Sequence, residues 1–110
     1  MRIIERPRNS GKTTILLHFM MLVNDSIYVA RTCAQAKKVF EMSKRLGCNL
    51  DASRFIGMKD PLIEKYHYQF LIDDFDCIVK KQGSAAYNLL DVASVITLTQ
   101  QKEKSKLLDE

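Results

Sequence analysis

The chain has 110 residues, of which 46% are hydrophobic, with a formal net charge of +4 and a pI of about 9.0. That length suits one domain built on one core, spanning residues 1–110. Its longest apolar stretch, residues 15–23, is interrupted by His18 and falls short of the ~20 residues a membrane helix needs. No secretory signal is expected, because a cleavable one would overlap the Gly11-Lys12-Thr13 motif. Cys33, Cys48 and Cys77 are odd in number and widely spaced, which points to reduced thiols in a cytoplasm and away from a disulfide framework or zinc site. The basic balance favours a polyanionic partner.

In chain order, residues 2–5 predict a first strand, and residues 12–23 a helix with Leu16, Phe19, Met20 and Val23 at helical spacing. Asn24-Asp25 should stop it, and residues 26–31 then read as a buried strand. Thr32 and Gln35 form a T-x-x-Q capping box, which predicts a helix over 33–46 with Ala36, Val39, Phe40, Ser43 and Leu46 on one face and Gly47 as its stop. Residues 54–57 suggest a short peripheral strand, and Asp60-Pro61 a brief helical turn. A strand over 68–72 delivers Asp73-Asp74 to its end. Helices over 75–81 and 84–92, broken at Gly83, lead to a last strand over 95–98 and a charged helix from Gln100 onward.

Strands that are continuously apolar and alternate with helices predict a three-layer α/β/α fold, with a mostly parallel sheet of four or five strands covered on both faces. In such sheets ligands bind beyond the carboxyl ends of the strands. The loop holding Lys12, Arg31, Asp73-Asp74 and residues 97–100 all fall there, which predicts one site.

The stretch Arg6-Pro7-Arg8-Asn9-Ser10-Gly11-Lys12-Thr13-Thr14 joins a strand to a helix. The phosphate-binding pattern G-x-x-x-x-G-K-[ST] uses backbone N–H groups to cradle phosphates, Lys to reach the outer ones and Ser/Thr to hold Mg²⁺. Gly11, Lys12 and Thr13 fit its second half, while Arg6 stands where the first glycine belongs. Arg6, Arg8 and Lys12 cluster at a helix N-terminus, where each cation costs about 0.3–1 kcal/mol unless an anion binds there. The plain alternative is a solvated basic turn capped by Ser10.

Asp73 and Asp74 have the chemistry to hold Mg²⁺ through water and to orient an attacking water. Otherwise Asp74 caps the next helix and Asp73 is an ordinary strand-end charge. Thr97 and Thr99 suit either a polar sensor of the outer phosphate or ordinary strand packing. Arg8 and Arg31 face either phosphate or solvent. His18, His67, Tyr66, Tyr68, Phe55 and Phe70 read more simply as packing or boundary residues.

Residues 8–14, Arg-Asn-Ser-Gly-Lys-Thr-Thr, resemble the modified phosphate loop of viral terminase large subunits and related helicase-like ATPases of the P-loop NTPase superfamily. Residues 27–36 are similar to the strand and helix that follow in those proteins. Phe70-Leu71-Ile72-Asp73-Asp74 resembles their acidic strand, with Asp74 in place of the usual Glu, and residues 95–99 take the place of the next strand. The adenine-binding segment that precedes the loop in those proteins is not expected here, nor are their nuclease domain and further strands.

The resemblance implies a minimal P-loop NTPase fold that takes ATP and Mg²⁺. Arg8, Asn9, Ser10, Gly11, Lys12, Thr13 and Thr14 would hold the phosphates. Thr13 and Asp73 would place the metal, with Lys12 and Asp74 as the catalytic pair. It also implies a phage origin, a host-cytoplasmic location, no membrane contact, and DNA, a second copy or a larger phage or host complex as partner. Binding of the triphosphate with Mg²⁺ is the leading expectation, with slow hydrolysis as its extension. The rival is a non-catalytic regulator on the same fold, favoured by the missing glycine and the Asp in place of Glu. A small-molecule kinase is less suited, because no lid-like arginine-rich segment is evident.

Overall fold

A computed structural model of the chain describes residues 1–7, 11–57, 69–91 and 93–99. Its strands are β1 (Arg2–Arg6), β2 (Ser26–Ala30), β3 (Phe55–Gly57), β4 (Gln69–Ile72) and β5 (Ala93–Thr99). Three α-helices, α1 (Lys12–Leu22), α2 (Cys33–Arg45) and α3 (Phe75–Gln82), connect them, with 3₁₀ segments over Ala52–Arg54 and Gly83–Asp91. The five strands form one sheet in the order β1-β5-β4-β2-β3, and every pairing is parallel.

The chain steps across this sheet in one direction from β1 to β2 to β3, then in the other from β4 to β5. Right-handed crossovers in opposite directions put their helices on opposite faces. The two cores are divided accordingly. Leu16, Leu17 and Met20 of α1 and Ala36 and Val39 of α2 pack with Tyr28, Ala30 and Leu71 on one face. Phe75 and Ile78 of α3 and Ala86 pack with Ile27, Val29, Phe70 and Ile72 on the other. Successive residues of β2 thus point into different apolar layers, which is why its sequence is continuously apolar.

Local chemistry sets the element ends near the predicted positions. The Thr32 hydroxyl accepts a hydrogen bond from the Gln35 amide at 3.1 Å, starting α2. At its other end Gly47, at φ +81°, allows the Gly47 amide to donate to the Lys44 carbonyl and the Cys48 amide to the Ser43 carbonyl, a Schellman closure. Leu46 is the capping residue there and is 55% exposed, not buried as its helical spacing suggested. Arg54 ties β3's start to the end of α1. Its guanidinium donates to the carbonyls of Met20, Val23 and Ser26 at 2.7, 2.9 and 3.1 Å and to the Ser26 hydroxyl at 2.8 Å.

The five-stranded, all-parallel sheet bears out the expected α/β architecture. Two further expectations need correction. β1 is not covered on both faces: among the described residues it is an edge strand paired only with β5, and Ile3 is 56% exposed. The segment predicted as a helix over 84–92 is a 3₁₀ segment that begins at Gly83, whose φ of +68° and ψ of −152° interrupt α-helical propagation from α3. The expected turn at Asp60-Pro61 and the helix from Gln100 onward lie outside the described residues.

Candidate functional site

β1, β5 and β4 are adjacent, and their carboxyl ends converge where α1 and α3 begin. Gly11 occupies the cap position of α1 at φ +87°, with no side-chain hydrogen bond to the helix and no acid in the first turn. Among the described residues no side chain caps the start of this helix, so its first amides keep their partial positive charge. Gly11, Lys12, Thr13 and Thr14 form one wall of a cleft of about 660 Å³.

Lys12 is 8% exposed although charged. Its ammonium donates to the Thr99 hydroxyl at 2.9 Å and lies 3.6 Å from an Asp74 carboxylate oxygen. The register Arg6↔Thr99 between β1 and β5 puts Thr99 beside the strand end that leads into the loop. An ammonium has three donors, so these two partners leave capacity for another acceptor in the cleft.

Asp73 directly follows β4 and is 3% exposed. Three hydroxyls donate to its carboxylate, each at 2.6 Å: Thr13 and Tyr28 to Oδ2, and Thr97 to Oδ1. Such short charge-assisted bonds are what allow a carboxylate to stay buried without a cation against it. Tyr28, fully enclosed and facing this carboxylate, has its phenol pKa pushed far above the ordinary value, by burial first and by the charge of Asp73 second. It stays a protonated donor.

Asp74 precedes α3 in a left-handed conformation, φ 51° and ψ 51°. It takes the cap position, yet its side chain makes no capping bond; it turns to Lys12 and, at 3.4 Å, to the Thr99 hydroxyl. Its amide is held at 2.8 Å by the Thr97 hydroxyl. Burial raises the Asp74 carboxyl above the usual carboxylate range, the neighbouring Asp73 raises it further, and Lys12 and Arg31 oppose both.

The sequence-derived residues Gly11, Lys12, Thr13, Thr14, Arg31, Asp74 and Thr99 all line the cleft, with Asp73 bonded beneath through Thr13. Arg8, Asn9 and Ser10 lie outside the described residues. Arg6 is exposed at the end of β1, His18 is exposed on α1, and Phe55 and Phe70 are buried in the core. His67, Tyr66 and Tyr68 lie outside the described residues.

Two contributions were missed from sequence. One is Tyr28, for which the signal was a phenol within a strand that reads as buried, since a buried phenol needs a partner. The other is the side of α2 that lines the cleft with Gln35, Lys38, Met42 and Arg45. Their spacing of three, four and seven residues marks one helical face, but no sequence signal said that this face meets the loop.

Among the described residues there is no group of three or more His, Cys, Asp and Glu side chains placed to hold a metal. That excludes a thiolate or imidazole cage there. What the site does offer is the Thr13 hydroxyl bonded to the Asp73 carboxylate, a pair of hard oxygen donors. No helix among the described residues is long and apolar enough to cross a membrane. Comparison with protein-family models, with curated proteins and with solved structures gave no match to this chain.

Proposed function

We propose that the chain is a P-loop NTPase-like protein that binds the polyphosphate of a nucleoside triphosphate, ATP being the leading candidate, together with Mg²⁺, and hydrolyses it slowly. The observation that carries this reading is the meeting, in one cleft, of the uncapped start of α1, the Lys12 ammonium and the Thr13–Asp73 pair. Each is matched to a different part of a metal–polyphosphate: amides and ammonium to the anionic oxygens, hydroxyl and carboxylate to the cation.

Thr13 and Asp73 would hold the Mg²⁺, whose chemistry is to neutralise charge on the outer phosphates. Lys12 would stabilise the same oxygens as charge builds on them, since its ammonium is fixed by Thr99 and needs no rearrangement. Asp74 would orient a water and accept its proton. A carboxyl raised by burial is a better base than an exposed one.

One observation favours the rival reading of a non-catalytic binding module: the Asp74 carboxylate is already engaged by Lys12 and Thr99. The two readings separate by experiment. Titration with a fluorescent non-hydrolysable triphosphate in Mg²⁺ should saturate for the wild type, and Lys12→Ala should weaken it at least about 100-fold. Equal affinity for both proteins would sink nucleotide binding. Phosphate release, measured with and without DNA, should be present in the wild type and lost in Asp74→Asn. Binding without any release under either condition would make the chain a nucleotide-dependent regulator.

A further inference from the structure

The cleft is longer on one side than on the other. α1 contributes only its cap and first turn, Gly11 to Thr14, whereas α2 contributes residues from Gln35 to Arg45, about 15 Å along its axis. Because every strand pairing is parallel, α1 and α2, which follow β1 and β2, begin at the same edge of the sheet. The first turn of α2 is therefore the part nearest the phosphate loop, and each later turn carries the wall further from it.

A cleft of about 660 Å³ has the size of a pocket for one small ligand. On the reading above, the phosphates of that ligand take the Lys12 end, so the group attached to them lies along α2. Gln35 and Met42, seven residues and about 10 Å apart on one face, are the half-buried side chains of this wall. In a closed capping box the Gln35 side chain returns to the Thr32 amide. Among the described residues only the other half is made, with the Gln35 backbone amide donating to the Thr32 hydroxyl, and the Gln35 carboxamide is left without a bond. A carboxamide carries two donors and an acceptor, which suits sugar hydroxyls, themselves both donors and acceptors. Met42 packs with one side against the core beneath α2 and lines the cleft with the other. A polarisable thioether is a good seat for a flat aromatic ring. Phosphate, sugar and base are joined in that order in a nucleotide, and the wall presents the loop, Gln35 and Met42 in the same order.

We propose that the Gln35–Met42 face of α2 is the nucleoside subsite of this cleft, with Gln35 bonding the ribose hydroxyls and Met42 lying under the base. The inference rests on the nucleotide reading for what fills the Lys12 end. It places the base on the helix that follows β2, away from the chain that precedes the loop.

The test is calorimetric titration with Mg²⁺-bound inorganic tripolyphosphate and with ATP, GTP, CTP and UTP, continued with whichever nucleotide binds tightest. The double variant Gln35→Leu/Met42→Ala should weaken that nucleotide at least about 10-fold while leaving tripolyphosphate within about 2-fold of the wild type. Tripolyphosphate also reports that the variant is folded, since the phosphate end needs an intact sheet edge. Gln35→Leu alone should lose affinity for the ribonucleotide but not for the dideoxy form that lacks both ribose hydroxyls, because the two removals act on one bond. An unchanged nucleotide affinity in the double variant would overturn the subsite. So would an equal loss for tripolyphosphate, which is what a general disturbance of α2 produces. Equal Gln35→Leu losses for the ribo and dideoxy forms would overturn the sugar contact. Failure of the wild type to bind tripolyphosphate or any of the nucleotides is a separate result, which removes the nucleotide reading and this subsite with it.

Discussion

Asp73 is held by hydroxyls from three different elements, Thr13 on α1, Tyr28 on β2 and Thr97 on β5. Removing one donor leaves a buried charge with less compensation, and hydrogen bonds to charged groups are worth about 1.5–3 kcal/mol each. Tyr28→Phe, which keeps the ring, should therefore destabilise the fold by about that amount in urea unfolding. Asp74→Asn isolates charge from conformation, because Asn tolerates the left-handed geometry of this position as Asp does. Without a carboxylate beside Lys12, the variant should bind the triphosphate more tightly while losing turnover. The sign of the pH effect follows from the raised carboxyl. Ionised Asp74 costs stability, so its contribution is full below the ordinary carboxylate range and fades as pH rises through the raised value. The melting temperature of the wild type relative to Asp74→Asn should accordingly be higher at about pH 4 than at about pH 7.

Residue chemistry was legible where a motif fixes both type and spacing. Gly11-Lys12-Thr13 and Asp73-Asp74 were read from the chain, and the geometry brings them together. Tyr28 escaped because its role depends on which neighbour its hydroxyl meets across the sheet, forty-five positions away. Thr97 and Thr99 were equally at home as strand formers, and the sequence did not show that their hydroxyls meet Asp73 and Lys12.

Among elements, α2 was readable from end to end because both its caps are local: Thr32 with Gln35 at the start, and Gly47 at the stop. Its distance from β3 was not. A Cβ added to Gly57 would lie 2.4 Å from the Cys33 amide nitrogen and 2.7 Å from the Thr32 carbonyl carbon. The start of α2 can approach the sheet this closely only because the residue is glycine. Gly57→Ala should push the helix start away from the sheet edge and lower stability by about 1–3 kcal/mol, readable as a fall in the urea midpoint with an unchanged m-value. Arg54→Met keeps much of the aliphatic bulk while removing all the bonds to the end of α1. Loss of stability of about 2 kcal/mol or more is expected, with α1 amide protection reduced.

At the scale of the molecule, the α/β class and parallel sheet followed from unbroken apolar strands alternating with amphipathic segments. The strand order did not, since periodicity says nothing about which strands become neighbours. That order is what gathers β1, β5 and β4 at one end and so assembles the cleft, in which Lys12 bonds to Thr99 eighty-seven positions away. A ligand that fits there stabilises the whole fold by mass action. Mg²⁺–triphosphate at about 100 times its Kd should add about 2.7 kcal/mol. For a chain this size that raises the melting temperature by roughly 10 °C. Lys12→Ala should abolish the rise, and a chelator should reduce it.

The edge position of β1 has a consequence for the time axis of binding. A parallel edge strand directs only part of its amides to its single neighbour, and the rest face water. In hydrogen exchange, β1 amides turned away from β5 should exchange at once, whether or not a ligand is present. Those bonded to β5 should report how often the strand lifts away, carrying the loop's anchor with it. Because the same strand end leads into Lys12, an anion that fixes the loop should slow this second set alone, leaving an alternating pattern of protection along five residues.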